Sequence, residues 1–363
     1  MAATASPSST APDRYEPQPS QFSQRVKRVV SSYAFRAFLQ GLVTIWAATT
    51  FTFFLIRLLP GNPVDIRIDQ LMQRGYTMEE ARNQAATLFA FDPNEPLINQ
   101  YLTFMGNLLQ GDLGVSITSA GTPVRDQILR YLPWTLISVG TALFISFGLG
   151  VILGMMTAYW RGSLFDNIVT GIASILSGIP DYVYALLIIL IAGVQLQWFN
   201  VGEMRGGVDH TLTPGFTLEY ISSVIKHAIL PIVTYVLASI GVWVLSMRSS
   251  TISTLGEDYI NVAKARGLSE RRILSAYVGR NAMLPMVTRL AISIGFVLSG
   301  SVIVERYFEY PGLGLLLARA VLARDYTTMQ GIFLVITISV IASNILADLL
   351  IGWLDPRVSL DKR

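Results

Sequence analysis

Long apolar runs separated by compact polar stretches set the pattern of this chain. Windows without Asp, Glu, Lys or Arg cover 37–56, 131–160, 182–202, 227–247 and 326–347, each 20 to 30 residues long. A helix needs about 20 apolar residues to cross a hydrocarbon layer, so each run predicts a membrane-spanning helix. A shorter run, 290–304, reaches that length only by taking in Arg289, whose stem can carry its charge to an interface. The predicted spans are therefore 36–58, 133–159, 167–199, 227–247, 286–304 and 328–352.

Composition strengthens this picture. Charged residues make up 14% of the chain, against roughly 25% in soluble domains. Apolar residues make up 52%, and the mean hydropathy is +0.49. These values exclude a soluble enzyme, a nucleic-acid binder and a disulfide-stapled secreted domain. The chain has no cysteine, which removes thiol chemistry and Cys-ligated metal. Its first 24 residues are rich in Ser, Pro, Gln, Ala and Thr and lack the apolar stretch of a leader. Residues 1–34 are expected to be a disordered tail, 35–358 a six-span body and 359–363 a short end.

Charge sets the orientation. The segment before the first span carries five basic residues (Arg14, Arg25, Lys27, Arg28 and Arg36) against two acids. The connection between spans four and five carries seven (Arg248, Lys264, Arg266, Arg271, Arg272, Arg280 and Arg289) against three acids. Segment 60–133 carries five basic residues against eight acids. An even number of spans puts both termini on one side, and the basic bias makes that side the cytoplasm. Segments 60–132, 200–226 and 305–327 then face outward.

The cytoplasmic stretch 248–285 is too patterned for a plain connection. Thr254 and Glu257 have capping-box spacing, which predicts a helix from Leu255. Gly267 can end it in the left-handed conformation, and Ser269 can cap a second helix that opens on Glu270. This helix–glycine–helix projection is either a solvated connector or a docking element for a cytoplasmic partner. Composition alone leaves both open.

The residues Asp258-Tyr259-Ile260-Asn261-Val262-Ala263-Lys264-Ala265-Arg266-Gly267-Leu268-Ser269, with Arg280-Asn281-Ala282 and Leu284-Pro285 behind them, resemble the cytoplasmic coupling motif of ABC importer permeases. The similarity is greatest to the oligopeptide/dipeptide/nickel branch. The usual Glu-Ala-Ala opening reads Asn261-Val262-Ala263 here. Other pieces extend the resemblance in order along the chain. They are Arg57 to Pro63, with Asn62 where Asp is usual, then Gln100-Tyr101, Gly111-Asp112-Leu113-Gly114 and Pro123-Val124. Glu305, Phe308, Tyr310-Pro311-Gly312-Leu313-Gly314, Arg324-Asp325-Tyr326, Asn344, Asp348 and Asp355-Pro356-Arg357 follow.

The resemblance implies an all-α membrane fold of the type I ABC importer kind, in a prokaryotic cell membrane. It also implies a second homologous permease, two cytoplasmic ATP-binding subunits and an extracytoplasmic substrate-binding protein. Glu257, Asp258, Tyr259, Ala263, Ala265, Gly267, Leu268 and Ser269 become the expected ATPase-coupling residues. ATP and Mg are expected on the partner ATPases, with no cofactor or metal in this chain and no enzymatic activity of its own. The sequence agrees in lacking any Gly-Lys dipeptide, and so any P-loop, and in lacking His-Glu-x-x-His and Gly-x-Ser-x-Gly.

Asp181 follows Gly178-Ile179-Pro180 midway through the third span. A proline there frees a carbonyl and kinks the helix, and a charge at that depth faces protein or a water-filled path. Asp181 is thus a candidate pathway-lining carboxylate, able to meet a peptide amino terminus, or else a carboxylate paired within the bundle. Asp348 is expected to be structural. His210 and His227 are interface histidines or part of a metal route. The apolar stretch 311–324 is an outward helix that either receives a binding protein or only closes the bundle. Trp134, Trp160, Trp198 and Trp353 fall at span ends as interfacial anchors.

The favoured reading is a permease subunit for di- or oligopeptides. Nickel, glutathione or oligosaccharide import is the alternative within the family. An ion-coupled secondary transporter and a membrane-embedded hydrolase are the rivals outside it.

Overall fold

The computed structural model describes residues 33–58, 68–69, 71–88, 95–116, 119 and 121–354. Among these the chain is helical throughout, apart from turns and one isolated antiparallel bridge between Val115 and Pro123. Expectations for residues 1–32, 59–63 and 355–363 lie outside the described residues.

The first apolar run forms α1 (Tyr33–Arg57). Two shorter helices, α2 (Met78–Leu88) and α3 (Leu97–Leu109), precede α4 (Val124–Tyr159), where a π-helical turn follows Pro133. Next come α5 (Leu164–Gly178) and α6 (Asp181–Gln195), then the 38-residue α7 (Leu218–Leu255) and the short α8 (Asp258–Ala265). Helix α9 joins Glu270–Arg272, a π-helical Ile273–Gly279 and Arg280–Val297 end to end. The chain closes with α10 (Val302–Tyr307), α11 (Leu313–Leu322) and α12 (Tyr326–Leu354).

Four of these helices, α1, α4, α7 and α12, are long and apolar enough to cross a membrane, or five spans if α5 and α6 count as one. The chain is a multi-pass membrane protein. Two predicted spans differ from expectation. The third is interrupted, with α5 and α6 meeting at 100°. Ile179 is forced out of the helical region by the proline after it (φ −99°, ψ 126°), and Pro180 is also extended. Pro180 has no N–H for the Leu176 carbonyl four residues back; the Tyr184 hydroxyl donates to it instead, at 2.9 Å. The fifth apolar run is divided. Helix α9 stops at Val297, Gly300 turns the chain at φ +56°, and Ser301 caps α10 by accepting from Val304 N–H. Arg289 donates to Ser246 Oγ at 2.7 Å and lies over the Trp243 ring.

Close helix approach holds the bundle together, since apolar burial does little where lipid is the solvent. A methyl at Gly154 of α4 would sit 2.6 Å from the Val244 carbonyl oxygen of α7, and one at Gly241 of α7 would collide with the Ala173 carbonyl of α5. Helix α7 therefore lies directly against both neighbours. The end of the bundle carrying α8 is called the lower end, and that carrying α11 the upper end. At the upper end Val124, Ile128, Leu313, Leu316, Leu317, Tyr326 and Met329 form one buried cluster.

Candidate functional site

The lower end is built around α8 and the start of α9. The predicted first helix exists but starts later than expected. Thr254 is buried in the last turn of α7 and donates back to the Ser250 carbonyl, and Glu257 takes the cap position of α8 without a side-chain cap bond. The capping-box spacing fails because α7 does not end before it: a threonine can serve the carbonyl four residues back as readily as it caps a helix.

Gly267 behaves as the pattern requires. Its φ is +70°, its N–H reaches the Lys264 carbonyl at 2.9 Å, and Leu268 N–H reaches the Ala263 carbonyl at 3.3 Å. This is the double bond pattern of a left-handed helix stop. Leu268 then packs with Ile260, Ala263, Ile273 and Val278, the small core that fixes the angle of the two helices. Ser269 holds the next cap position, again without a side-chain bond.

The expected coupling residues divide by exposure. Ala263 is buried in that core and Leu268 is half-buried, whereas Glu257, Asp258, Tyr259, Ala265, Gly267 and Ser269 are exposed. Val262, which the sequence reading left out, adds an exposed apolar side chain to the same helix.

Three side-chain ties anchor this hairpin. Asn281 Nδ2 donates to Tyr259 Oη at 3.1 Å and to the Tyr277 carbonyl at 2.7 Å. Ser250 Oγ donates to the Ala282 carbonyl at 2.9 Å, and the Tyr159 hydroxyl donates to the Glu270 carboxylate. Close by, Arg248 donates from Nε to Asp166 Oδ1 at 2.7 Å and from Nη2 to Oδ2 at 2.9 Å. Gly162 N–H and Thr170 Oγ1 also donate to that carboxylate, and Asp166 N–H donates to Ser163 Oγ. Sequence reading missed the pair because its members are 82 residues apart. The local signal, Ser163 three residues before Asp166 and just after Gly162, predicts only the start of α5.

Asp181 heads α6 at the 100° break and is half-buried, its Oδ1 accepting from Tyr182 N–H at 2.7 Å. The break thus places a carboxylate within the bundle, at mid-height and beside irregular backbone.

At the upper end the motif pieces quoted from distant parts of the chain meet. Leu113, Val124, Leu313 and Tyr326 share one cluster. Asp325 is buried, accepts from the Ser116 hydroxyl, and caps α12 by accepting from Thr328 N–H. Glu305 is 0% exposed. Its Oε2 accepts from Leu315 N–H at 2.9 Å and its Oε1 from Thr135 Oγ1 at 3.2 Å, while Thr135 Oγ1 accepts from Leu313 N–H at 2.7 Å. Burial pushes this carboxyl up to about 7, against the opposing bonds from Leu315, Thr135 and Gly314.

Gln100 and Tyr101 of α3 grip α1: Tyr101 Oη bonds Trp46 Nε1 at 3.1 Å and Thr50 Oγ1 at 2.8 Å, and Gln100 Oε1 accepts from Arg57 Nε. Between α4, α7, α11 and loop 200–215 lies an open cavity of about 1060 Å3 that holds both His210 and His227 on its wall. His227 Nδ1 is 2.7 Å from the Ser223 carbonyl oxygen. Among the described residues no group of three metal-ligating side chains occurs. Asn344 and Asp348 of α12 face α1 across a smaller cavity shared with Arg36, Gln40 and Thr44.

The arrangement suits mechanical work: an exposed hairpin is tied into the bundle at one end, and a broken helix holds a carboxylate at mid-height. Comparison with known proteins gives this arrangement a context. Residues 150–360 match the family model described as binding-protein-dependent transport system inner membrane component. The oligopeptide transport system permease protein AppB of Bacillus subtilis is 30% identical over 329 residues, which cover 91% of this chain and 99% of that protein. The di/tripeptide transport system permease protein DppB of Pseudomonas aeruginosa is 32% identical over 87% of this chain and 95% of its own length. The dipeptide transport system permease protein DppB of Escherichia coli K12 is 32% identical over 88% and 96%.

Proposed function

The chain belongs to the family of binding-protein-dependent transport system inner membrane components, and from that premise we propose that it is a permease subunit that imports di- and oligopeptides. The observation that carries the reading is the hairpin of α8 and α9 around Gly267, an exposed basic projection whose inner face is packed and whose outer face has no cover. Peptide is favoured over nickel, glutathione or oligosaccharide because the relatives at 30–32% identity are named for oligopeptides, dipeptides and tripeptides.

In this reading the chain crosses a prokaryotic plasma membrane six times, with α5–α6 as one broken span and α9 as another. Both termini and the hairpin are cytoplasmic, as the excess of Lys and Arg there supports. A second permease completes the pathway. Of two ATPases carrying ATP and Mg, one seats on Glu257, Asp258, Tyr259, Ala265 and Ser269 of this chain, with Ala263, Gly267 and Leu268 shaping the hairpin. A binding protein delivers substrate at the upper end. ATP binding draws the ATPases together, and the hairpin carries that displacement into the bundle. Such a ligand shifts the equilibrium only by its differential affinity for the two states.

The test is ATP hydrolysis in proteoliposomes holding this chain, its second permease and the ATPases, with and without peptide-loaded binding protein. Stimulation by the loaded protein supports the reading; failure of the ATPases to associate overturns it. Asp181 is the proposed pathway carboxylate. Asp181→Asn is expected to slow uptake of peptides with a free amino terminus more than of N-blocked ones, and equal effects remove that role.

A further inference from the structure

The link between α7 and α8 is only Gly256 and Glu257. A two-residue link of this kind is a pivot. Force applied to α8 turns the hairpin about it; α9 continues from the hairpin straight into its own span, and what reaches α5 and α7 depends on what braces the root. The ties through Tyr159–Glu270, Asn281–Tyr259 and Ser250–Ala282 join exposed groups or single hydroxyls. One brace is of a different kind. Asp166 and Arg248 form a two-pronged bridge, with the Asp166 side chain 3% exposed.

Geometry shows what this brace connects. Arg248 lies two turns above the end of α7, close to the root of the hairpin. The Asp166 carboxylate gathers Gly162 from the α4–α5 turn and Thr170 from the next turn of α5. One carboxylate therefore pins three elements. Helix α5 runs on from Asp166 to Gly178, about 18 Å at 1.5 Å per residue. It ends at the 100° break whose far side begins with Asp181. Along the way it rides directly on α7, because Gly241 lets the Ala173 carbonyl come close. A rigid helix anchored at one end and hinged at the other is a lever.

We propose that Asp166 and Arg248 are positioning residues for transport: their bridge makes α5 a lever that carries displacement of the hairpin to the break at Ile179–Pro180, where Asp181 stands. This rests on the coupling role of the hairpin proposed above. The bridge touches neither ATP nor substrate. It sets how much of each hydrolysis becomes movement at mid-height.

The experiment is peptide uptake per ATP hydrolysed, measured in proteoliposomes of the full complex after the amount of assembled complex is matched. Asp166→Asn is expected to keep ATP hydrolysis and lower uptake per ATP about tenfold. Arg248→Lys, which keeps charge but loses the second prong, is expected to lower it less. Wild-type uptake per ATP in Asp166→Asn, or in Arg248→Lys should Asp166→Asn fail to assemble, overturns the lever while leaving the coupling hairpin intact. A wild-type complex whose ATPases ignore loaded binding protein overturns the hairpin reading, and the lever with it. Because the chain has no cysteine, spin labels at Ile175→Cys and Ile225→Cys report the lever separately. ATP is expected to change their separation in the wild type and not in Asp166→Asn; a change of equal size in both counts against the proposal.

Discussion

Asp166 and Glu305 are both shut away from solvent, one where α4 turns into α5 at the lower end, the other beside α11 at the upper end, but the groups that hold them differ in kind. Asp166 has a full counter-charge in Arg248, delivered through two hydrogen bonds, and its remaining acceptor sites are taken by Gly162 and Thr170. The carboxylate of Glu305 is served by the Leu315 N–H and the Thr135 hydroxyl, both neutral donors. The first arrangement is a permanent tie, because separating the partners strands a buried ion. The second can gain or lose a proton while keeping its contacts. With Glu305 neutral, its own hydroxyl can donate to Thr135 Oγ1 and its other oxygen still accepts from the helix. A buried carboxylate is thus a fixed link or an adjustable one according to whether a cation faces it.

Breaking the fixed link has the largest expected effect. Arg248→Met leaves the Asp166 charge uncompensated and is expected to cost roughly 3–5 kcal/mol, measured by denaturant unfolding in detergent. Replacing both partners with apolar residues, Asp166→Leu/Arg248→Met, is expected to cost less than the single change, since no charge is then stranded. A double variant that loses the sum of the single losses means that the two residues do not act as a pair.

The adjustable link is tested by pH. Glu305 is raised from its ordinary 4.5 to about 7 by burial, so the folded protein binds more protons than the unfolded chain between those values. The contribution of Glu305 to stability is therefore fullest below about 4.5 and falls as pH rises to about 7, by roughly 3 kcal/mol at 1.36 kcal/mol per pH unit. Tyr310, which shares this environment, is pushed up by burial and stays neutral over that window. Glu305→Gln keeps the shape without the charge. The difference in unfolding midpoint between wild type and Glu305→Gln is expected to grow from pH 5 to pH 8 in favour of the variant. A difference that is flat in pH removes the titration from Glu305.

These two sites also mark how far the sequence is legible. The spans α1, α4, α7 and α12 follow from charge-free runs, because a run of that length has no other stable solution in lipid. The stop at Gly267 follows because only glycine takes its backbone cheaply. Neither buried carboxylate is legible in the same way. Asp166 and Arg248 are 82 residues apart, Thr135 and Glu305 170 apart, and nothing local links them. The proline before Asp181 predicts a kink but not its size, since the bend also depends on Ile179 being forced into the extended region. Thr254 was misplaced because its two hydrogen-bonding options look alike until the length of α7 is known.

Two glycines carry the comparison to its smallest scale. Gly312 has an ordinary φ of −90°, but a methyl there would collide with the Glu305 carboxylate; Gly312→Ala is expected to cost about 1–3 kcal/mol by overpacking. Gly267 is the reverse: nothing lies within 4 Å of a methyl placed on it, and only its φ of +70° excludes other residues. Its cost comes from the backbone, about 1–2 kcal/mol for Ala and more for Val, whose β-branched side chain also meets its own backbone in the left-handed region. Asn tolerates the left-handed region, so Gly267→Asn is expected to keep most of both stability and transport. Gly267→Val is expected to leave the chain in the membrane while the hairpin loses its angle and transport uncouples from ATP hydrolysis. Full peptide uptake by Gly267→Val means that the angle between α8 and α9 does not matter for coupling. Equal loss in the Asn and Val variants assigns the effect to the missing glycine rather than to the turn it makes.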